Sequence, residues 1–391
     1  MKNSILKAAV LAFLSLSIYA CSDDDNTGND NNNTVVTKKL VIENYANIVH
    51  ANYKKAYDDA VILETAINTF TASPTAANFT AAKDRWRDSR ESYGTTEAFR
   101  FANGPIDATE DSPEGLINSW PLDESYIDYA VDEQGILTNG GIVNSTDVIT
   151  KEALENANGD GAEDKVSVGY HAIEFLLWGQ DLTAPSENKP GQRLFTDYTT
   201  AANATRRAAY LKICADLLTD HLAYLVDQWK PGGEYRTTFL ALNEDVAIKN
   251  IYLGISTLAA AELAIERMDV ALLTESQEDE HSCFSDNTHR DIALNLQGIV
   301  NVYEGKYGDI DGASLQDLVN QADTAIGFST DTSITNAKAK IAAIKIPFDD
   351  AISGGLESVE GAKVRVAVRE LEALGANFIA GASKIGIAVN G

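Results

Sequence analysis

The chain has 391 residues, with 58 aspartates and glutamates against 31 lysines and arginines, a formal charge of −27 and three cysteines. So acidic a surface repels phosphates and excludes nucleic acid as a partner, while favouring cations. Three cysteines make no disulfide framework, and the length allows two domains with sizeable cores.

Lys2 and Lys7 precede an apolar run from Ala8 to Ile18 and then a small residue before a cysteine, Ala20-Cys21. This is the layout of a secretory signal. The run is roughly eleven residues, against about twenty for a bilayer core, and no later stretch reads as long and uncharged enough to span. Ile18-Tyr19-Ala20-Cys21 is similar to a bacterial lipobox, which implies removal of residues 1–20 and acylation of Cys21. Several acyl chains on one residue anchor a protein stably. The expectation is an exported protein whose membrane partner is met through Cys21. Residues 21–38 begin Cys21-Ser22-Asp23-Asp24-Asp25 and continue as an Asn-rich tract with nothing apolar to bury, a disordered tether. Its acidic triplet reads either as a plain spacer or as a signal for the outer face of the outer membrane. The expected locations are therefore the outer membrane, the cell surface or its periplasmic face.

From residue 39 onwards apolar residues recur at spacings of three and four and alternating runs are scarce, so the predicted class is all-α. Val41, Tyr45, Ile48 and Val49 begin a long helix reaching about Phe70, which Ser73-Pro74-Thr75 ends. A second helix carries Phe79, Ala82, Trp86 and Tyr93 on one stripe. From Asn103 to Asp164 the pattern fails in an acidic, Gly- and Pro-punctuated stretch, and long irregular segments inside a domain are usually functional. Helices resume at Val166–Trp178 and Arg206–Trp229, where Leu211, Cys214, Leu218, Leu222, Leu225 and Trp229 form a core stripe. They close a first bundle, 39–240. A second bundle, 241–391, packs against it, with helices from Asn243 to about Thr274, from Thr288 to Tyr303, and two or three more after a Ser314-x-x-Asp317 capping pattern. Cys214 and Cys283 admit one disulfide in an oxidising compartment.

Three places carry chemistry. Gly169-Tyr170-His171-Ala172-Ile173-Glu174-Phe175-Leu176-Leu177-Trp178 is apolar nearly all round and must be buried. It nevertheless holds His171 and Glu174 one turn apart on one face, and a buried carboxylate must be paired or neutralised. A metal ion, a basic partner or an acid/base role would compensate. On the Trp86 helix, continuing the stripe from Tyr93 lands on Glu97 and Arg100, which read as a local salt bridge or as partners of the His171 pair. The third place is the polar run Glu278 to His289; stepping back from Ile292 gives His289 and Asp286, with Glu280 and Ser285 alongside. His-Glu-x-x-His and its inverted form are absent, as are the P-loop, nucleotide-binding glycine and Gly-x-Ser-x-Gly patterns.

The ordered set Thr96-Glu97-Ala98-Phe99-Arg100-Phe101, Trp120-Pro121-Leu122, Gly169-x-His171-x-x-Glu174, Gly191-Gln192-Arg193 and Ser282-Cys283-Phe284-Ser285-Asp286-Asn287-Thr288-His289 resembles the imelysin family, over residues 40 to about 305. The resemblance implies two helical bundles with a site at their junction, built from His171, Glu174 and Glu97, with Arg100, Trp120, Gly169, Glu280, Ser285, Asp286 and His289 lining it. It also implies one of two activities. One is binding of iron or an iron-bearing ligand alongside iron-uptake components. The other is a metallopeptidase acting on polypeptides, with zinc or iron as the metal and Glu97 and Glu174 as its catalytic carboxylates. A catalytic zinc needs about three protein ligands and a separate general base; if Glu174 binds the metal, Glu97 must be that base. A mixed imidazole and carboxylate set also suits iron, and on chemistry alone binding is favoured over hydrolysis. A third reading is a scaffold whose polar residues close into a salt-bridge network, with Arg100 neutralising Glu97 or Glu174.

Overall fold

The computed structural model describes residues 35–389 except 110, 111 and 133. The signal segment, Cys21 and the tether as far as residue 34 lie outside the described residues. Thr37 starts the first helix, Lys38–Ala72, its hydroxyl accepting from the Leu40 amide at 3.3 Å. Along it Val41, Tyr45, Val49, Tyr53, Ala56, Ala60, Leu63, Ile67 and Phe70 are buried, the stripe that three-and-four spacing dictates. Ala76–Tyr93 returns antiparallel beside it, with the Phe70 and Phe79 rings 4.9 Å apart near the turn and Asn52 donating to the Ser92 carbonyl at 2.9 Å.

Gly169–Trp178 and Ala204–Trp229 complete the first group of helices, and every residue of the former is buried. Two glycines let that short helix seat. Gly169 sits at φ +86°, where a Cβ would stand 2.6 Å from the Ile117 carbonyl oxygen. Gly191 passes the far end so closely that a Cβ would meet the Trp178 carbonyl at 2.6 Å. The stretch from 103 to 164 holds short helices at Glu114–Ile117, Glu124–Ile127, Gly141–Asn144 and Lys151–Ala157, plus a two-stranded ribbon pairing Ala130 with Thr138. Buried ion pairs pin it down: Asp128 accepts from Arg207 Nε and Arg193 Nη1, both at 2.6 Å.

The second group comprises Glu244–Thr274, Thr288–Glu304, Leu315–Ala322, Thr324–Ile341 and Val359–Lys384. Ser314 and Asp317 form the expected capping box. Against expectation, Glu244–Thr274 is long and apolar enough to cross a membrane by composition; it is mostly buried and packs along Val359–Lys384, as a core helix does. Its Leu258–Asp269 stretch is wound as a π-helix. The described residues from 36 onwards form one compact unit in which helices from either side of residue 240 touch. Thr288–Glu304 lies so tightly on residues 94–99 that a Cβ on Gly298 would run into the Thr95 carbonyl. Cys214 and Cys283 are both free and buried.

Candidate functional site

The His171 helix presents its histidine and glutamate to each other. His171 Nδ1 lies 2.9 Å from Glu174 Oε2, and neither side chain is exposed. Glu174 Oε1 accepts both the amide of Ser285 at 3.0 Å and its hydroxyl at 2.7 Å. Both glutamate oxygens are thus engaged, and the atom left over is His171 Nε2, buried with no hydrogen-bond partner. Burial, reinforced by His281 and Arg90, holds the His171 imidazole well below its ordinary pKa, so it is neutral. Burial also pushes the Glu174 carboxyl up to about 8.

A second pair of the same kind stands beside it. His281 Nδ1 lies 2.9 Å from Asp291 Oδ2, which also accepts from Ser282 Oγ at 2.5 Å. Arg90 neutralises Asp291 from the other side, 3.0 Å from Oδ1, and the pair is buried. Burial first, then Arg267, brings His281 down to about 4 despite the opposing pull of Asp291. The two imidazole rings meet edge to face, centroids 4.6 Å apart, and Trp120 covers His171 at 5.4 Å. At His171, Nδ1 is fixed against a carboxyl group and Nε2 is free, the arrangement that orients an imidazole towards a metal or a reacting group. His281 shares the fixed Nδ1, but its Nε2 accepts from Asn118 Nδ2 at 3.4 Å.

Next to these rings opens a cavity of about 390 Å³, lined by Trp120, Asn118, His281, Arg100 and Arg267 and also by the carboxyl groups of Glu114, Glu163, Glu262, Glu266 and Asp279; His171 lies buried behind this wall. Glu97 lies behind the arginines. Its Oε2 is 2.5 Å from Arg267 and 3.4 Å from Arg100, while Oε1 is buried without a partner. Burial alone would raise its pKa, but the two guanidinium groups outweigh it and hold Glu97 at about 2. Arg267 also meets Glu262, five residues earlier, at 3.0 Å. Residues five apart diverge on an α-helix; the wider π turn stacks them.

The imelysin family model matches residues 49–377. The chain belongs to the imelysin family. It is 25% identical over 316 residues to iron-regulated protein A of Synechococcus elongatus, covering 77% of this chain and 74% of that one. Among solved structures, it is similar to a protein described as a putative iron-regulated protein A precursor from Parabacteroides distasonis, with a TM-score of 0.69, 20% identity and coverage of 90% of this chain and 97% of that chain. An imelysin-like protein from Psychrobacter arcticum matches with a TM-score of 0.62, 13% identity and the same coverage. These two likenesses speak for the all-α fold.

Within this imelysin, the structure brings together His171, Glu174, Ser285 and Trp120, and sets Arg100 on the adjoining cavity wall. Glu97 is not joined to the histidine pair; its carboxylate belongs to Arg267 and Arg100. Gly169 works through the backbone, by the close approach to Ile117. Glu280 is buried away from the cavity lining, and Asp286 faces Asp181 and Asp349. His289 points elsewhere, with Nδ1 on the Asp286 carbonyl at 3.0 Å and its ring beside an apolar groove with Ile292 and Leu296. Stepping back from Ile292 assumes that the helix continues. It starts only at Thr288, and Asp286 takes a left-handed φ of +55°, which curls the preceding loop and delivers His281 instead. The residues that the sequence did not single out are His281, Asp291, Arg90 and Arg267. One signal was present: Arg90 and Asp291 each fall on an otherwise apolar helix face, next to Trp86 and Ile292.

Proposed function

We propose that this imelysin binds iron carried by a small chelate, through the paired imidazoles and the adjoining cavity of mixed charge. The observation that carries the reading is the orphaned His171 Nε2. Its ring is neutral, oriented by Glu174 and set edge to face with His281. A fully buried nitrogen without a partner is costly unless something meets it. The name of the cyanobacterial relative, iron-regulated protein A, supports iron as the metal.

His171, Glu174 and Glu97 do not converge on one ion; among the described residues three possible metal ligands gather elsewhere, at Asp181, Asp286 and Asp349. The chain therefore supplies too few ligands for a bare ion here, and a chelate that brings its own donors fits better. Imidazole nitrogen suits iron. Arg100 and Arg267, which already pair with Glu97 and Glu262, would turn charge-assisted hydrogen bonds to the carboxylates of such a chelate, and Trp120 and His281 stand on the cavity wall between it and the buried His171. The peptidase reading needs a free general base. Glu97 is held ionised at about 2 by two arginines, and both oxygens of Glu174 are occupied, so neither is suited to that work. Residues 1–20 and Cys21 fit an exported, lipid-anchored protein that passes its cargo to iron-uptake components.

Equilibrium titration with ferric citrate tests the binding reading. Wild type binds, and His171→Ala and His281→Ala each weaken binding at least tenfold; equal affinity in all three, or none in any, would remove it. Radiolabelled palmitate incorporation that Cys21→Ser abolishes tests the anchor, and unlabelled wild type would refute it.

A further inference from the structure

The feature that the histidine pair does not absorb is a knot of carboxyls on the other side of Ser285. Asp181 follows the His171 helix, Asp286 precedes the Thr288 helix, and Asp349 opens the short helix Phe348–Ile352. One carboxylate oxygen from each lies within 4.8 Å of the other two. Three chain segments that are far apart in sequence thus bring like charges into one spot, an arrangement that is repulsive unless protons or a cation compensate.

A second observation points to a ligand. Asp349 is 4% exposed and its Oδ1 has no hydrogen-bond partner; Glu280 is 1% exposed and its Oε1 has none either. Glu280 lies close enough to Asp349, Asp286 and Asp181 to feel the charge of each. No lysine or arginine compensates: among the described residues none of the four is ion-paired, and Arg87 acts on Asp286 more weakly than the acidic neighbours do. The donors are all oxygens, with no thiolate or imidazole, the choice of a hard divalent cation of the calcium kind over zinc.

We infer that Asp181, Asp286 and Asp349, with Glu280 behind them, form a second site that binds one calcium-like cation and ties the three segments together. It is separate from the proposed iron-chelate site and does not depend on it. Asp286 is the chain neighbour of Ser285, which holds Glu174, so the cation would steady the loop on which the histidine pair rests.

The full chain, stripped with EDTA and exchanged into chelator-free buffer near neutral pH, is titrated with calcium chloride by calorimetry and followed by thermal melting. One site per chain and a rise in Tm of several degrees are expected. The Asp286→Asn, Asp349→Asn double variant should lose both effects, with affinity at least tenfold weaker. Its calcium-free Tm should equal or exceed that of wild type, since the repulsion is gone. His171→Ala should keep the calcium response. A wild type whose heat and Tm ignore calcium, or a double variant that responds as wild type does, would overturn the inference.

Discussion

Replacing Glu174 with glutamine separates stability from binding, because the two depend on opposite protonation states of one side chain. In the folded protein burial keeps the Glu174 carboxyl protonated up to about pH 8; unfolded, it ionises near its ordinary value. A group whose folded pKa is raised supports folding fully below the unfolded value, and that support is lost as pH rises towards the folded value. At pH 7 the difference amounts to about 3 kcal/mol against the folded state, at 1.36 kcal/mol per pH unit. A glutamine at this position cannot ionise and escapes the loss. Its carbonyl oxygen can take the two Ser285 donors, which directs its amide group at His171 Nδ1. That amide donates, as the protonated Glu174 does, so the imidazole proton sits on Nε2, the atom required for the cation; unlike the acid, the amide cannot give up its proton to free that atom. Glu174→Gln should therefore melt a few degrees higher than wild type near neutral pH, with the gap closing towards about pH 4.5, and should not bind ferric citrate. Thermal melts across that range and one titration decide it. Parallel melting curves, or undiminished binding, would refute the reasoning.

Arg267→Ala leaves Glu97 buried with Arg100 as its remaining guanidinium, at a cost of about 3 to 5 kcal/mol in chemical denaturation; a loss below about 1 kcal/mol would mean that water replaces the arginine. Glu97 itself, depressed to about 2, contributes stability that is whole above about pH 4.5 and drains away as pH falls to 2. Glu97→Gln should flatten that acid limb of the unfolding curve. Gly298→Ala drives a methyl into the Thr95 carbonyl across a tight contact between the two groups of helices, and should cost about 1 to 3 kcal/mol or more; a neutral result would show that the helices slide apart freely.

Much of this was legible beforehand. The three-and-four spacing of Val41, Tyr45 and Val49, the stop at Ser73-Pro74 and the Ser314 box report local physics, and the helices begin and end close to where they say. The pairing of His171 with Glu174 was legible for the same reason, since one helical turn fixes their separation. Nothing local says that Arg90 reaches Asp291 or that Arg267 reaches Glu97, because the pairs span 201 and 170 residues of chain. His281 was hidden because it lies in the loop before Thr288, where the left-handed Asp286 breaks the helical periodicity that reaches back only as far as His289. The fate of Glu97 was not legible because its partner lies on a helix whose winding is irregular.

That winding has its own consequence. Deleting a single residue between 258 and 269 would let the helix relax to the ordinary pitch, with nearly all of its greasy face retained. An α turn would then absorb the loss: with the deletion between them, Glu262 and Arg267 would stand four residues apart instead of five, still on one face, and everything beyond the deletion would keep its facing. The wide turn is thus a reserve of chain length, and a family member one residue shorter across it would still bring its arginine to the cavity wall.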